Sequence, residues 1–295
     1  MEGSASAPRR RLHSFSRHLQ SGAAGAAAFA TPKRRITIHY GDGPGRGEVT
    51  RMLLAYGGVA YEDIRYAGAD FAAITKTAPE SDDPTNGSKF PFNQLPALEI
   101  DGTFIAQTST LARYAARLVG LYPAGLEEAA KSDEIFEHSA DIQQSTTPIF
   151  MDGVPGRAGT KQRPREERVE GFVAWSKERL PVMMAQLDNL LGDDRWFVAD
   201  TFSWADVAVY NRLENLHGLA AAYGVDVLGV YAKMAEHSAR VAKVPGIKAY
   251  LDARQGFMEQ NGTAGKSAGT YGGAMHLRVS PAPEGGVAIE RLDAE

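Results

Sequence analysis

The amino-acid sequence predicts a mixed α/β domain followed by an all-helical domain. Alternating strand and helix patterns follow residue 35, and two apolar runs joined by Asp101-Gly102 come after them. From residue 122 onward, apolar residues recur with helical spacing instead. The length of 295 residues is typical of about two domains.

The α/β half begins with a strand, a turn and an amphipathic helix. Residues 36–40 alternate apolar and polar side chains, and residues 41–45 form a glycine-rich turn. Between 47 and 56, apolar residues recur at i, i+3, i+4 and i+7, which is the signature of a helix. A strand around 61–65 and a short helix around 70–77 follow. We expect the two strands to be parallel, with a right-handed crossover.

The rest of this half is predicted to be a loop, a hairpin and a helix. Residues 79–91 are rich in Pro, Gly, Asn, Ser and Asp, which indicates an exposed loop. Strands at 95–100 and 103–106 flank the Asp101-Gly102 turn. A helix then runs from Gln107-Thr108 to about residue 119. The resulting order is β-α-β-α-β-β-α.

Helices are predicted throughout the second half. One ends before Pro148, and a long one at 164–191 contains Pro181, which should kink it. Ser203 and Asp206 fit a capping box at the start of another helix. Further helices are expected at 230–241 and 245–257. The predicted segments are an extension that is disordered or a targeting sequence (1–34), the α/β domain (35–121), the helical domain (122–260) and a disordered tail (261–295).

Composition excludes several classes of function. The sequence has no cysteine, so thiolate metal sites, cysteine nucleophiles and CxxC redox chemistry are absent, and any thiol must come from a ligand. The net charge is −4, and residues 36–295 are more acidic than that because residues 1–35 are basic. An acidic body argues against nucleic-acid binding. The longest apolar run, 22–30, is too short to cross a bilayer.

The basic, serine-containing extension leaves the compartment open. We expect a cytoplasmic protein, with import into a mitochondrion or plastid through residues 1–34 as the alternative. Glu2 counts slightly against a transit peptide.

Motifs in both halves resemble glutathione transferases of the sigma class, over about residues 35–258. They occur in the order and at the spacing of that family. The motifs are YGDGPGRGE at 40–48, QLPAL at 94–98, DG at 101–102, AQT at 106–108, ARY at 112–114, LP at 180–181, LD at 187–188 and SWAD at 203–206. The resemblance implies a thioredoxin-like glutathione-binding domain, a helical second domain, a homodimer, glutathione as co-substrate and no metal.

The resemblance makes Tyr40 the predicted catalytic residue. A free thiol has a pKa of about 8.5, so only a few per cent is thiolate at neutral pH. A phenol O–H directed at the sulfur stabilises the anion more than the thiol, and about 1.4 kcal/mol lowers the pKa by one unit. From the residues alone, a tyrosine at a strand end is usually a rim residue of the sheet.

Predicted glutathione contacts follow from the same resemblance. Pro96 is expected to be cis and to expose the backbone of Leu95 to the cysteinyl part of glutathione, beside Gln94. Thr108, next to Gln107, would meet the γ-glutamyl carboxylate at a helix N-terminus. For Pro96 the plain alternative is an ordinary trans proline, and for Thr108 it is a helix cap.

Four further positions are predicted with more than one interpretation. Arg46 matches a family arginine near the thiol, or is a solvated charge. Asp141 matches an acidic residue that reaches the glutathione amine across a dimer, or is a solvated helical residue. Phe71 stands where the family has a tryptophan. The lysine that meets the glycyl carboxylate is either Lys76 or Lys89.

The predicted function is conjugation of the glutathione thiolate to hydrophobic electrophiles. Peroxidase chemistry, or isomerase chemistry as in prostaglandin D synthases, uses the same thiolate. The alternative is a non-catalytic glutathione-binding or structural protein, as the crystallins of the family illustrate.

Overall fold

The computed structural model describes residues 34–75, 88–151, 163–227, 229–263 and 273–292. It confirms a mixed α/β half followed by a helical half. The elements are β1 (Ile36–Gly41), α1 (Glu48–Tyr56), β2 (Tyr61–Tyr66), α2 (Gly68–Thr75), a 3₁₀ turn (Pro91–Asn93), β3 (Ala97–Ile100), β4 (Thr103–Ala106), α3 (Thr108–Leu118), α4 (Leu126–Met151), α5 (Arg165–Glu178), α6 (Leu180–Leu191), α7 (Trp204–Tyr223), α8 (Ala232–Val241), α9 (Pro245–Gln260), β5 (Met275–Pro281) and β6 (Val287–Arg291).

The sheet has the order β4-β3-β1-β2-β5-β6. Strands β1 and β2 are parallel, as the strand-helix-strand pattern predicts, while β3 and β4 form an antiparallel hairpin beside β1. The turn of that hairpin is made by Asp101 and Gly102, both with positive φ. The first four strands with α1, α2 and α3 therefore form the predicted thioredoxin-like order.

The prediction of a disordered tail is wrong for residues 275–291. Strand β5 pairs antiparallel with β2, and β6 pairs with β5, so the hairpin extends the sheet. Leu277 and Val279 are buried, whereas Arg278 between them is exposed, so β5 has the alternation of a strand with one buried face. The surrounding Gly, Ser, Ala and Pro residues hid this alternation in the sequence.

Two prolines act differently from the sequence prediction. Helix α4 continues through Pro148 to Met151, instead of ending before it. Pro148 lies in the last turn, where one lost backbone hydrogen bond costs less than in a helix centre. The predicted long helix is two helices, because α5 ends at Glu178 and α6 begins at Leu180. Pro181 stands in the first turn of α6, where no intrahelical N–H bond is needed.

One hydrophobic core is shared by both halves. Leu53 of α1 and Leu111 of α3 belong to the same buried cluster as Phe136 of α4 and Trp204 of α7. The Trp204 ring stacks on Phe136 at 4.5 Å, and its Nε1–H donates to Ser132 Oγ at 2.8 Å. The predicted capping box is present at the start of α7. Among the described residues, no helix is long and apolar enough to span a membrane.

A buried ion cluster also joins the two halves. Glu48, the first residue of α1, is fully buried. Its Oε1 accepts hydrogen bonds from Tyr250 Oη–H at 2.9 Å and Arg254 Nη1–H at 2.7 Å, both on α9. Its Oε2 lies 3.3 Å from Arg51 Nη1. Burial alone would raise the pKa of Glu48, but Arg254 and Arg51 hold it below the ordinary value of 4.5.

Replacing Glu48 by Gln should therefore destabilise the protein strongly. Two buried arginines would lose a carboxylate partner, for an expected loss of about 3–5 kcal/mol in the free energy of unfolding. The matched control is Glu128→Gln, which changes an exposed glutamate in the first turn of α4 and should cost less than about 0.5 kcal/mol. Denaturant unfolding of both variants at pH 7 measures the difference.

The pH dependence of the free energy of unfolding tests whether Glu48 is charged in the folded protein. A carboxyl whose folded pKa is depressed contributes stability that is complete above its unfolded pKa and is lost as the pH falls through the folded pKa. The difference in the free energy of unfolding between wild type and Glu48→Gln should accordingly narrow as the pH falls below 4.5, the ordinary pKa of a glutamate. A gap that stays constant down to the acid transition would contradict the assigned charge.

Candidate active site

The strand register brings three predicted segments to one edge of the sheet. His39 pairs with Ala97, and Ala97 pairs with Ala106. Tyr40 follows His39, Pro96 precedes Ala97 and Gln107 follows Ala106, so these three positions are neighbours across β1, β3 and β4. Motifs that lie up to 67 residues apart in the sequence form one surface.

Tyr40 is half-buried at the end of β1, next to the glycine-rich turn. Its hydroxyl oxygen accepts a hydrogen bond from the Arg46 backbone N–H at 3.1 Å. The ring makes an edge contact with Phe71 of α2, with 6.2 Å between centroids. Because the phenol oxygen acts as an acceptor for the backbone, its own proton is left to donate to a ligand. An accepted hydrogen bond also polarises the O–H group and makes it a better donor.

The glycine turn is shaped around this ring. A Cβ at Gly45 would lie 2.6 Å from the Tyr40 hydroxyl oxygen, and a Cβ at Gly47 would lie 2.9 Å from Tyr40 Cδ1. Gly45 also has a φ of +40°, in the region that favours glycine. The two glycines therefore let the chain pass against both the edge and the hydroxyl of Tyr40.

The side chain of Arg51 connects the glycine turn to β2. Its guanidinium is fully buried, lies 5.8 Å from the Tyr40 ring centroid and donates from Nη1 to the Gly43 carbonyl at 3.0 Å. Its Nη2 donates to Asp63 Oδ1 at 2.9 Å. Burial disfavours the charged forms of Arg51 and Asp63, but the attraction between the two charges outweighs it. The pKa of Arg51 is therefore raised, and that of Asp63 is lowered. The turn is thus tied to β2 by ionised groups.

The predicted glutathione-facing segments have the expected backbone. The Leu95-Pro96 bond is cis, as predicted. Gln94 is exposed, Leu95 is half-buried and Pro96 is buried. Gln107 is exposed with a φ of +75°, and Thr108 begins α3 directly after it. Thr108 and the free N–H groups of the first turn of α3 therefore adjoin the end of β4, where an anion is favoured.

The structure gives a different outcome for each of the predicted residues Arg46, Lys76 and Lys89. The Arg46 side chain is exposed, next to its own backbone contact with Tyr40. Lys76 lies outside the described residues. The Lys89 ammonium lies over the rings of Phe90 and Phe104, at 5.4 and 5.1 Å from their centroids. Those rings pack on His39, which points to the opposite face of the sheet from Tyr40.

Asp141 lies in the helical half, exposed on α4. It lines a cavity of about 530 Å³ between α4 and the junction of α5 and α6, together with His138, Gln144 and Met183. All residues lining this cavity belong to the helical half, so it is separate from the Tyr40 surface.

Comparison with known proteins agrees with this geometry. Family models match residues 36–117 (glutathione S-transferase, N-terminal domain) and 158–254 (glutathione S-transferase, C-terminal domain). The haematopoietic prostaglandin D synthase of Gallus gallus is 30% identical over 210 residues, which cover 71% of this chain and 92% of that protein. The chain belongs to the glutathione S-transferase family.

Other members of the glutathione S-transferase family are similar at nearly full length. S-crystallin 3 of Enteroctopus dofleini is 29% identical over 222 residues, covering 74% of this chain and 96% of that protein. The crystal structure of the glutathione S-transferase from Ascaris lumbricoides is 26% identical with a TM-score of 0.56, covering 74% of this chain and 96% of the other. The relatives thus include proteins named as transferases, a synthase and a crystallin.

Sequence reasoning missed three charged residues of this transferase-family fold. Glu48 ends the motif at 40–48 and Arg51 falls in the predicted helix, but neither is predicted from the sequence to be a buried charge, and both are buried next to the turn. Arg212 on α7 is also buried. The sequence does indicate that Arg212 is buried, because it follows Ala205 and Ala208 at i+7 and i+4 on the core-facing side of an apolar helix.

A substitution in the glycine turn of this transferase-family chain should impair conjugation more than stability. Gly45→Ala would push the Tyr40 hydroxyl from its position, and displacements of about 1 Å can cost about 100-fold in rate. We expect at least about a tenfold loss of glutathione conjugation, measured with a chlorinated nitrobenzene. The control is Gly224→Ala, with a φ of +72° and no heavy atom within 4 Å of the added Cβ.

The control separates backbone strain from contact with the ring. Both variants place alanine in left-handed backbone and should lower the melting temperature by similar amounts, but Gly224→Ala should keep its conjugation rate. Equal rates for the two variants would show that the ring contact at Gly45 is unimportant.

Proposed function

We propose that the chain is a glutathione transferase in which the Tyr40 hydroxyl donates a hydrogen bond to the glutathione sulfur. The observation that carries the proposal is the Tyr40 hydroxyl at the sheet edge, its oxygen held by the Arg46 N–H at 3.1 Å. The sulfur would then react with an electrophile held on the side of the helical domain. We also propose the sigma class within the family, which the sigma-like motifs support.

The required energy is small compared with what such a contact provides. Lowering the thiol pKa from about 8.5 by two units takes about 2.7 kcal/mol and changes the thiolate from about 3% to about 75% at pH 7. A hydrogen bond to a charged group contributes about 1.5–3 kcal/mol. One phenol donor in the right position is therefore sufficient, aided by the cation of Arg51 beneath the ring.

Glutathione itself is proposed to lie along the edge formed by β1, β3 and β4. The backbone of Leu95, which directly precedes Pro96 and β3, would pair with the cysteinyl unit like an added strand. Thr108 and the N-terminus of α3 would hold the γ-glutamyl carboxylate, with Gln94 and Gln107 at the rim. Phe71 contacts the Tyr40 ring and closes one side of the site.

A second candidate function is a non-catalytic protein of crystallin type. The 29% identity with an S-crystallin supports it. Peroxidase and isomerase reactions are variants of the first proposal, since they use the same thiolate. Binding to immobilised glutathione without conjugation of a chlorinated nitrobenzene would favour the crystallin-type function.

Replacing Tyr40 by Phe tests the main proposal. The variant keeps the ring that packs on Phe71 but loses the donor, so glutathione binding should persist while the conjugation rate falls at least about tenfold. The matched control is Tyr66→Phe, which removes a hydroxyl at the end of the adjacent strand β2, where it contacts His39. Unchanged turnover in Tyr40→Phe would remove the role of Tyr40.

We further propose a homodimer in which Asp141 reaches the glutathione amine of the partner subunit. Asp141 is exposed on α4, which supports this part of the proposal. Asp141→Asn should raise KM for glutathione about threefold or more with little change in kcat, because it weakens binding in the ground and transition states alike. The control is Glu134→Gln, an exposed glutamate on the same helix.

The dimer is measured independently by sedimentation. A monomeric protein that conjugates glutathione normally, or an unchanged KM in Asp141→Asn, would contradict this part of the proposal.

A further inference from the structure

The inner face of α7 carries hydrogen-bond donors that no described residue satisfies. Arg212 is 2% exposed, and both its Nε and its Nη2 are buried without a hydrogen-bond partner among the described residues. Its Nη1 lies 3.5 Å from Asn211 Oδ1, at the limit of a hydrogen bond. The side-chain nitrogens of Asn211 and Asn215 are also buried and unpartnered there. All these unused atoms are donors, so together they suit an acceptor.

Arg212 differs in this respect from the other buried arginines. Arg51 is paired with Asp63, Arg65 also with Asp63, and Arg254 with Glu48 and Glu214. A buried guanidinium without a carboxylate is costly, since neither its charge nor its N–H groups are compensated. A protein that pairs its structural arginines so consistently leaves this one available for a ligand.

The position of Arg212 on α7 directs it towards the Tyr40 end of the structure. Ala208, one turn earlier on the same helical face, belongs to the core cluster that includes Leu53 of α1 and Leu111 of α3. The charged or titratable groups that act on Arg212 are Tyr40, Arg46 and Glu137. Tyr40 lies at the end of β1, Arg46 in the glycine turn and Glu137 on α4, so the guanidinium is within electrostatic range of three elements.

These surroundings favour an anion. Burial lowers the pKa of Arg212 to about 10, Tyr40 and Glu137 act to raise it and Arg46 to lower it, so the group stays protonated at pH 7. Arg46 adds a second positive charge. Glu137 is exposed and is not hydrogen-bonded to Arg212 in the described structure. The positive charges of Arg212 and Arg46 and the unpartnered N–H donors therefore both favour an anion.

We infer that Arg212 binds a carboxylate of the second substrate, and that the preferred electrophiles are apolar molecules carrying an anionic group. This inference rests on the proposed function, in which Tyr40 holds the glutathione sulfur. In that function the γ-glutamyl carboxylate of glutathione lies on the side of the sheet, at Thr108. An anion held by Arg212 on α7 therefore belongs to the electrophile.

The test uses the displacement of chloride from a chloronitroaryl ring by the glutathione thiolate. The thiolate sulfur attacks the chlorine-bearing carbon of a chloronitroaryl ring, a C–S bond forms, the C–Cl bond breaks and chloride leaves with the electron pair. The proton of the thiol is released to solvent when the thiolate forms. No oxidant, reductant or metal takes part.

The experiment compares 4-chloro-3-nitrobenzoate with its methyl ester, which lacks the negative charge. Arg212→Met should lower kcat/KM for the benzoate at least about tenfold and for the ester less than about threefold, and Arg212→Lys should restore part of the loss. The control is Arg168→Met on α5, an arginine whose Nε is likewise unpartnered, which should affect both substrates equally little. Equal losses for both substrates in Arg212→Met, or no loss, would overturn the inference.

A measurement on the wild type keeps the test independent of the variants. Unreactive 3-nitrobenzoate should inhibit ester conjugation at least about fivefold more strongly than methyl 3-nitrobenzoate, because only the former meets the guanidinium. Equal or weaker inhibition by the benzoate would contradict the site. The two levels of proposal stay distinguishable: a wild type that conjugates neither substrate refutes the transferase function, whereas one that conjugates the ester but shows no charge preference refutes only the role of Arg212.

Discussion

The buried carboxylate of Glu48 is the contact on which the geometry of the molecule depends. It begins α1 directly after the glycine turn, and it is held by Tyr250 and Arg254 of α9 from the helical half. A fully buried carboxylate is tolerable only while its cations are present, because an unpaired buried charge costs several kcal/mol. The turn that shapes the Tyr40 site can therefore keep its form only when the helical half is docked. The fold and the site are not separable modules.

Other contacts restrain the same turn from different directions. Arg51 donates to the Gly43 carbonyl from beneath, and Asp42 accepts a hydrogen bond from the Gly273 N–H at 2.7 Å. Gly273 leads into β5, so the C-terminal hairpin serves both as an added sheet edge and as a brace of the turn. The proposed role of the Tyr40 hydroxyl requires such restraint, because a donor must be held within about 0.5 Å of its productive position. The brace comes from a region whose composition suggested no structure.

Local patterns predicted the elements around Tyr40, whereas contacts between distant segments were not predictable. Strand alternation, a glycine turn and a helix follow one another within 20 residues, but the choice of Tyr40 and the cis Pro96 came from the family resemblance. The hairpin at 275–291 was not predicted because β5 depends on pairing with β2, which lies more than 200 residues earlier. The burial of Arg212 follows from the helical spacing, but its lack of a carboxylate partner depends on long-range placement. The choice between Lys76 and Lys89 likewise depends on three-dimensional placement.

The arginines show how one residue type is used for two purposes in the same core. Arg51 and Arg254 meet carboxylates at 2.9 and 2.7 Å, and they fix elements to one another. Arg212 is also buried, but no described carboxylate is hydrogen-bonded to it, and Tyr40, Arg46 and Glu137 are the groups that act on its pKa. The desolvation that the ion pairs overcome is therefore left uncompensated at Arg212, and an anion bound there would recover it. In the proposed function, one unpaired charge would in this way set the selectivity for the second substrate.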